Sequence, residues 1–373
     1  MNRRKFLSNT IPVVTMPALL NGFSFKAFGA SPQNGMLSLL NGATDTDHVL
    51  VIIQLYGGND GLNMVIPIDM YANYYNARAN VAIQQSKILR LDGTDRTGFH
   101  PAMTGLQNMF NEGKVSVVQS VGYPNPDFSH FRATDIWMSG DNTADRFRRV
   151  KTGWMGRYLT EEFPGYPDDY PSAAMPDPLA VQISDFPTLT VQGNPFSMGL
   201  AITDPRNVYD FVNPFTDYPL NSTAANKELR YLRVVADKTK IYSDRIRAAY
   251  LSNNNLAAYP ADNYLAEQLK IVARLIKGGL KTRVYTVSMG GFDTHKKQVN
   301  AGDTTTGNHA QLLKMLSTAM VAFQNDLQQM QVDSRVLSMT VSEFGRRIKS
   351  NASLGTDHGS SAPLMLMGKY VNK

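Results

Sequence analysis

Cysteine is absent from this chain of 373 residues. Disulfide bonds, thiolate metal ligands and a cysteine nucleophile are therefore excluded. Several common enzyme signatures are also absent from the sequence, namely the P-loop, G-x-G-x-x-G, H-E-x-x-H and G-x-S-x-G. Their absence removes support for the nucleotide-binding enzymes, zinc proteases and α/β-hydrolases that these motifs define.

A concentrated basic patch is lacking as well, although the formal net charge is +6. Four of the positive charges precede residue 31, where no acid occurs: Arg3, Arg4, Lys5 and Lys26. No run of lysine and arginine interleaved with aromatic residues follows. Proteins that bind the phosphate backbone need such a patch, so we expect no nucleic-acid partner.

The N-terminus lacks an apolar run long enough to span a bilayer, because Ile11–Leu20 is too short for this. Asn2–Leu7 (NRRKFL) precedes this run, and small residues follow it near Ala30, as in a twin-arginine export signal. We predict a signal over residues 1–30, a spacer over 31–47 and one α/β domain over 48–373. The protein is expected to be periplasmic or secreted, with no stable membrane anchor after signal removal.

Apolar, β-branched runs alternate with segments of helical periodicity. The predicted strands are His48–Tyr56, Lys114–Val121, Leu179–Ile183, Arg283–Ser288, Val336–Ser342 and Pro363–Met367. The predicted helices are Pro101–Asn111, one opening within His130–Trp137, Thr223–Leu251, Tyr264–Lys277 and His309–Met330. This alternation predicts a mostly parallel, doubly wound sheet flanked by helices.

Acidic and imidazole side chains follow several of these strands where each one ends. Ligands collect at the carboxyl ends of the strands in an open α/β sheet, and these side chain types bind zinc, manganese or iron. The predicted metal ligands are Asp60, Asp293, His295, Glu343, Asp357 and His358. The alternatives are structural. Asp60 is then a turn aspartate, and Glu343 pairs with Arg346 or Arg347. His130 is either a group that supports a ligand or a packed side chain, and His309 is expected to cap a helix or face solvent.

The loop after the second strand carries a candidate nucleophile, Ser129. At the start of a helix its hydroxyl would lie in a positive dipole field beside a bound anion, although a capping role is the structural alternative. Arg132, one turn later, could pair with an anionic substrate or cover the helix surface. Arg346 and Asn59 are further candidates for substrate binding.

The motifs together resemble the bacterial domain-of-unknown-function family numbered 1501, whose members carry twin-arginine signals. The resemblance runs from end to end and rests on RRKFL, LYGGNDGLN, GFHPAM, VGYPNPDFSHFRATDIW, GWMGRYL, GGFDTH, SEFGRR and NASLGTDHG. It implies an alkaline phosphatase- and sulfatase-like core with a dinuclear metal site. It also implies that family chains continue beyond the position of Lys373, so we expect one edge of the fold to be missing.

The resemblance assigns roles to individual residues. Asp60 resembles the superfamily's first-strand metal aspartate, and Ser129 lies where the nucleophile is expected. Asp293 and His295 look like the ligands of one metal, and either Glu343 or the Asp357-His358 pair would fill the later acid-histidine position. Ser129 lacks the C/S-x-P-x-R context of sulfatases, so the resemblance disfavours a sulfatase.

The sequence therefore predicts an exported, metal-dependent hydrolase or transferase acting on a small phosphate-type ester. Zinc is the expected divalent ion, with manganese, calcium or iron as alternatives. A non-catalytic binding or assembly protein on the same scaffold, with a protein partner, is the second interpretation. A serine esterase is the third, since Gly58-Asn59-Asp60 resembles a block of G-D-S esterases.

Overall fold

The computed structural model describes residues 47–143, 151–194, 196–206 and 223–371. The predicted export signal and nearly all of the spacer lie outside these residues. The described strands are β1 (Val49–Leu55), β2 (Val65–Pro67), β3 (Leu89–Leu91), β4 (Thr94–Phe99), β5 (Val115–Gly122), β6 (Ala180–Ile183), β7 (Gly199–Ile202), β8 (Val284–Met289), β9 (Val336–Ser342), β10 (Gly345–Ser350), β11 (Thr356–Gly359) and β12 (Ser361–Met367). The described helices are α1 (Gly61–Met64), α2 (Tyr71–Arg78), α3 (Thr104–Asn111), α4 (His130–Ser139), α5 (Trp154–Glu162), α6 (Ala224–Leu251), α7 (Tyr264–Lys277) and α8 (Asn308–Gln329).

A seven-stranded sheet forms the centre of the fold, in the order β5-β12-β9-β1-β8-β6-β7. β1 pairs in parallel with both β8 and β9, and β6 pairs in parallel with β7 and β8. β12 is antiparallel to both of its neighbours, β5 and β9. β5 therefore runs in the same direction as β9, and only β12 is reversed. The predicted mixed α/β fold with a mostly parallel sheet is confirmed.

Both faces of the sheet are covered, which explains why β1 is buried at every position. Side chains alternate between the faces of a strand. On one face Val51 and Ile53 belong to a core that includes residues of α3, α6, α7 and α8. On the other face Leu50 and Ile52 pack with residues of α5 and of the proline-rich segment that follows it. None of the helices in the described ranges is long and apolar enough to cross a membrane.

Two small β-structures flank the carboxyl edge of the central sheet. β2, β4 and β3 form a three-stranded sheet, and β10 pairs with β11 as an antiparallel hairpin. Neither was predicted from the sequence. Their strands are short or polar, as in β10 (GRRIKS), and they lack the apolar run that identifies a buried strand.

The direction of the strands brings distant loops together. β1, β5, β8 and β9 all end at one edge of the sheet, and the reversed β12 begins there after the β10–β11 hairpin. The loops that leave these four strands, together with the hairpin, build the site described below. This is the edge at which ligands bind in open α/β sheets.

Candidate metal centre

Asp293, on the loop after β8, lies among three histidines from three different loops. The Nε2 atom of His130 lies 3.5 Å from Asp293 Oδ2, and the Nε2 atoms of His295 and His358 each lie 3.2 Å from Oδ1. One ligand atom from each of His130, Asp293 and His358 lies within 4.8 Å of the others. These three residues could hold a metal ion.

The outward-facing nitrogen of each histidine is already bound. The Nδ1 contacts are Glu343 Oε1 for His130 (2.9 Å), Asp357 Oδ1 for His295 (3.0 Å) and the Phe128 carbonyl oxygen for His358 (2.8 Å). Carboxylates and carbonyls only accept hydrogen bonds, so each Nδ1 donates its proton and each neutral ring keeps its lone pair on Nε2. Metal-binding histidines show this arrangement, in which a second group fixes the tautomer and orients the ring.

The spacing of the inner atoms fits a bound cation. His295 Nε2 and His358 Nε2 lie 2.9 Å apart, and Asp293 Oδ1 lies 3.2 Å from each of them. With the tautomers just described, three electron pairs face one another with no proton between them. Two ligand atoms on one tetrahedral zinc ion are about 3.3 Å apart, from the usual zinc–ligand distances. The donor set therefore fits a metal with affinity for imidazole and carboxylate.

Arg346 holds the loops of this centre together. Its guanidinium donates to Gly58 O (2.7 Å) and Thr356 O (2.9 Å), and also to Gly57 O. It further donates to Phe292 O (2.9 Å) and Asp293 Oδ1 (2.7 Å). Its side chain is fully buried. The arginine that was predicted to orient the substrate thus joins the exits of β1 and β8 to the hairpin.

The carboxyl group of Asp293 is ionised over a wide range of pH. Burial raises the pKa of Asp293, but the buried Arg346 guanidinium, which donates a hydrogen bond to Oδ1, outweighs burial and holds the pKa well below its usual range. An ionised carboxylate is the form that binds metal ions.

Ser129 is the N-cap residue of α4 and immediately precedes His130. Its hydroxyl makes no capping hydrogen bond, and its backbone N–H donates to Asp127 Oδ1 at 2.8 Å. The side chain is exposed. Ser129 is therefore the sequence neighbour of a residue of the metal-binding group, and its hydroxyl does not cap the helix. Arg132 donates to Thr143 O at 3.0 Å, a contact at the helix surface.

Glu343 and Asp357, both predicted as metal ligands, contact histidines in the structure. Glu343 is buried, and its Oε1 accepts from Gly57 N (2.8 Å) as well as from His130. Asp357 accepts from His295 and Asn351, and these bonds hold its pKa below the usual range. The prediction that Glu343 pairs with a neighbouring arginine is not what the structure shows. Both acids orient imidazoles.

Asp60 and Asn59 belong to a separate, buried network. Arg78 Nη1 lies 2.8 and 2.7 Å from the two oxygens of Asp60, and Gln298 Nε2 donates to Oδ2 at 2.5 Å. Burial raises the pKa of Asp60, but the charges and hydrogen bonds of these partners outweigh it, so the pKa is lowered. Asn59 donates to Met64 Sδ and contacts His309 Nε2 at 3.0 Å. In this arrangement both residues serve structural contacts.

The sequence does not reveal the roles of three important side chains. His130 was left open between a supporting role and packing, although it follows a strand exit like the other candidates. Arg78, the partner of Asp60, was not singled out, since a lone arginine in a helix gives no signal. His309 was expected to cap a helix or face solvent, but it is buried against Asn59, because α8 packs over the exit of β1.

The fold and the site define a class: a mostly parallel α/β protein with a group of imidazole and carboxylate ligands at the carboxyl edge of its sheet. Residues 238–372 match the family described as "Protein of unknown function (DUF1501)". This match confirms the predicted family resemblance over that part of the chain, which contains Asp293, His295, Glu343, Asp357 and His358. No curated protein matches the chain.

Proposed function

We propose that this protein is a metal-dependent hydrolase or transferase that acts on a phosphate-type ester. The observation that carries the proposal is the convergence of three imidazole Nε2 atoms on Asp293, with every Nδ1 atom bound to an acceptor. The proposal includes export by the twin-arginine route and an alkaline phosphatase-like fold. The N-terminal sequence supports the first, and the gathering of the site at the strand exits supports the second.

The donor set suits one ion. Each imidazole offers a single lone pair because its Nδ1 donates, so the group supplies three nitrogens and the two oxygens of Asp293. A dinuclear centre, as the superfamily resemblance implies, would need more protein ligands than this. Zinc fits best, since it binds mixed nitrogen and oxygen ligands, and manganese or iron are alternatives. Calcium fits poorly because it prefers oxygen ligands.

The residues of the site have distinct roles in this proposal. His130, Asp293 and His358 would hold the metal ion, and the Nε2 atom of His295 would be a further ligand. When bound, the ion supplies Lewis-acid stabilisation of negative charge on an ester oxygen. The Ser129 oxygen would bond to the phosphorus and lose its proton to solvent, while the bond from phosphorus to the ester oxygen breaks and the alcohol leaves with a proton. Water would then release the phosphate and restore the serine hydroxyl. The N-terminus of α4, at which Ser129 lies, favours an anion through its free N–H groups and dipole.

The charge around the centre also favours an anionic substrate. Lys296 and Lys297 directly follow His295, and both are exposed. Arg347 Nη1 lies 3.5 Å from Asp357 Oδ2, while Oδ1 of the same carboxylate contacts His295. Exposed cations near a site attract anions and raise their rate of association.

The proposal is tested by metal analysis of the purified protein and by assays with aryl phosphate, phosphodiester, aryl sulfate and aryl acetate. We expect bound zinc in near-stoichiometric amount and turnover of a phosphate ester that a chelator abolishes and zinc restores. A protein that binds no divalent ion and cleaves none of these esters would contradict the proposal. Cleavage of the acetate alone, insensitive to chelators, would support the serine esterase instead.

A binding or assembly protein is the second candidate, favoured by the structural engagement of Asn59, Asp60 and Arg346. It predicts that zinc binds and raises the melting temperature while no ester is cleaved. Substitution of Asp293 would then change stability or partner binding alone.

A further inference from the structure

Two exposed phenylalanines lie on either side of His130. Phe131 is 87% exposed, more than any other large apolar side chain among the described residues, and Phe128 is 47% exposed. Single exposed apolar residues are common on protein surfaces and need no explanation. Here the two flank the start of α4, since Phe131 is the second residue of the helix and Phe128 directly precedes the N-cap residue Ser129.

Phe128 is directly linked to the metal centre. Its carbonyl oxygen accepts the Nδ1 hydrogen bond of His358. Its ring lies 6.4 Å, centroid to centroid, from the buried ring of Phe344. Phe344 in turn lies 4.9 Å from the His130 ring and 4.5 Å from the His358 ring. An aromatic surface therefore continues from the imidazoles of the centre outward to solvent through Phe128.

The two kinds of exposed side chain near the centre come from different loops. The cations Lys296 and Arg347 lie on the β8 exit and the hairpin, whereas Phe128 and Phe131 lie at the start of α4. The segments that supply the metal-binding residues thus also carry cations, at the β8 exit and on the hairpin, and apolar rings, at the segment that supplies His130. Recognition sites commonly combine apolar surface with a few polar groups that fix orientation.

We propose that Phe128 and Phe131 form an apolar lip that binds the organic group of the substrate. The substrate class is then an anionic ester whose alcohol carries an alkyl or aryl group of several carbons. This inference rests on the proposed function, since the metal centre would hold the anionic group. Burial of apolar surface against the two rings supplies the selectivity.

The test compares a series of alkyl phosphates from methyl to hexyl with the zinc-loaded full chain, below their micelle concentrations. Full burial of one methylene is worth about 4-fold in affinity, so a one-sided lip gives about 2-fold per methylene. We expect kcat/KM to rise on the order of 10-fold or more from methyl to hexyl phosphate. Phe131→Ser and Phe128→Ser should each lower the ratio of kcat/KM for hexyl phosphate to that for methyl phosphate.

The matched control is Phe186→Ser, at a phenylalanine outside this region that is 79% exposed. It should leave the ratio unchanged.

Binding of alkylphosphonates, which the protein cannot hydrolyse, separates this inference from the proposed function. If no ester is cleaved but phosphonate affinity rises with chain length and falls in Phe131→Ser, the lip is supported and the hydrolase proposal fails. If esters are cleaved with no dependence on chain length, or the control variant lowers the ratio as much as Phe131→Ser, the lip is overturned. Failure of the phosphonates to bind also overturns it.

Discussion

Asp293 is the residue with the greatest influence on the candidate centre, because each of its oxygens faces a histidine. Asp293→Asn keeps the size of the side chain but removes its negative charge and one acceptor. We expect zinc affinity to fall at least about 100-fold, since the variant loses an anionic ligand that Arg346 keeps ionised. Titration calorimetry with zinc measures this. Asp303→Asn, an exposed acid that bonds Thr305 in the same loop, should leave the affinity unchanged. Equal affinity in both variants would show that Asp293 is not a ligand.

Glu343 is predicted to act on the metal through His130. In Glu343→Gln the amide oxygen can still accept from Gly57 N–H, but the charge that favours Nδ1–H on His130 is lost. Loss of such a supporting group costs about 10- to 100-fold in metal affinity in known sites. We expect zinc binding to weaken by this factor and the His130 imidazole signals in NMR spectra to change. Glu112→Gln, at an exposed acid, is the control. An unchanged affinity would reduce Glu343 to a packing role.

The residue types of the site could be read from the sequence better than their roles. Asp293, His295 and His358 were identified because acids and imidazoles follow strand exits. Glu343 and Asp357 carry the same signal, yet they bind the outer nitrogens of the histidines. Sequence position alone cannot distinguish a ligand from the group that orients it, since both lie on the same loops and differ by one hydrogen bond.

At the scale of elements, the turn after β1 fixes the rings of the centre. Gly58 has φ of +75°, and a Cβ added there would overlap the Phe344 ring. Phe344 packs against both His130 and His358. Gly58→Ala should therefore lower the free energy of unfolding by more than about 2 kcal/mol and also weaken zinc binding.

Gly93→Ala separates backbone strain from this overlap. Gly93 has φ of +81° and no atom within 4 Å of an added Cβ. It should cost about 1 kcal/mol of strain and leave zinc affinity unchanged. Urea denaturation and zinc titration of both variants provide the comparison. An equal loss in the free energy of unfolding for both variants would show that the Phe344 ring can shift without an energetic penalty.

The elements with long apolar or strongly periodic sequences were predicted closely. Val336–Ser342 and Tyr264–Lys277 have the predicted bounds, because a buried strand and an amphipathic helix give unambiguous patterns. The β10–β11 hairpin was missed, since its polar strands are stabilised by contacts with distant loops. One such contact joins Lys297 N–H to Ser353 O at 3.1 Å.

At the scale of the whole molecule, the sequence predicted that the strand order would bring the loops with acidic and imidazole residues together. The structure shows that these are the loops after β1, β5, β8 and β9, together with the β10–β11 hairpin. The reversed β12 places Asp357 and His358 at the exits of the parallel strands. Its direction was not predicted. An apolar run predicts a buried strand but does not indicate its direction in the sheet. Only the neighbouring strands determine whether the pairing is parallel or antiparallel.

Acid is expected to destabilise the folded protein through its buried histidines. Burial lowers the pKa of His309 from 6.5 to about 4 and that of His100 to about 3. Because the folded pKa lies below the unfolded value, the unfolded chain takes up protons first as the pH falls. The stabilisation is complete above pH 6.5 and is lost as the pH falls toward 4.

This effect predicts a loss of about 2 kcal/mol in the free energy of unfolding for each of the two histidines between pH 7 and pH 5. Urea denaturation of metal-free protein at both values measures the loss. His309→Gln cannot take up this proton. Its free energy of unfolding should therefore fall about half as steeply with decreasing pH and approach that of the native chain at low pH. Above pH 7.5 His309 should contribute no pH dependence to the free energy of unfolding of either protein. If the two free energies fall in parallel between pH 7 and pH 5, His309 binds its proton equally well in the folded and the unfolded chain, contrary to its burial.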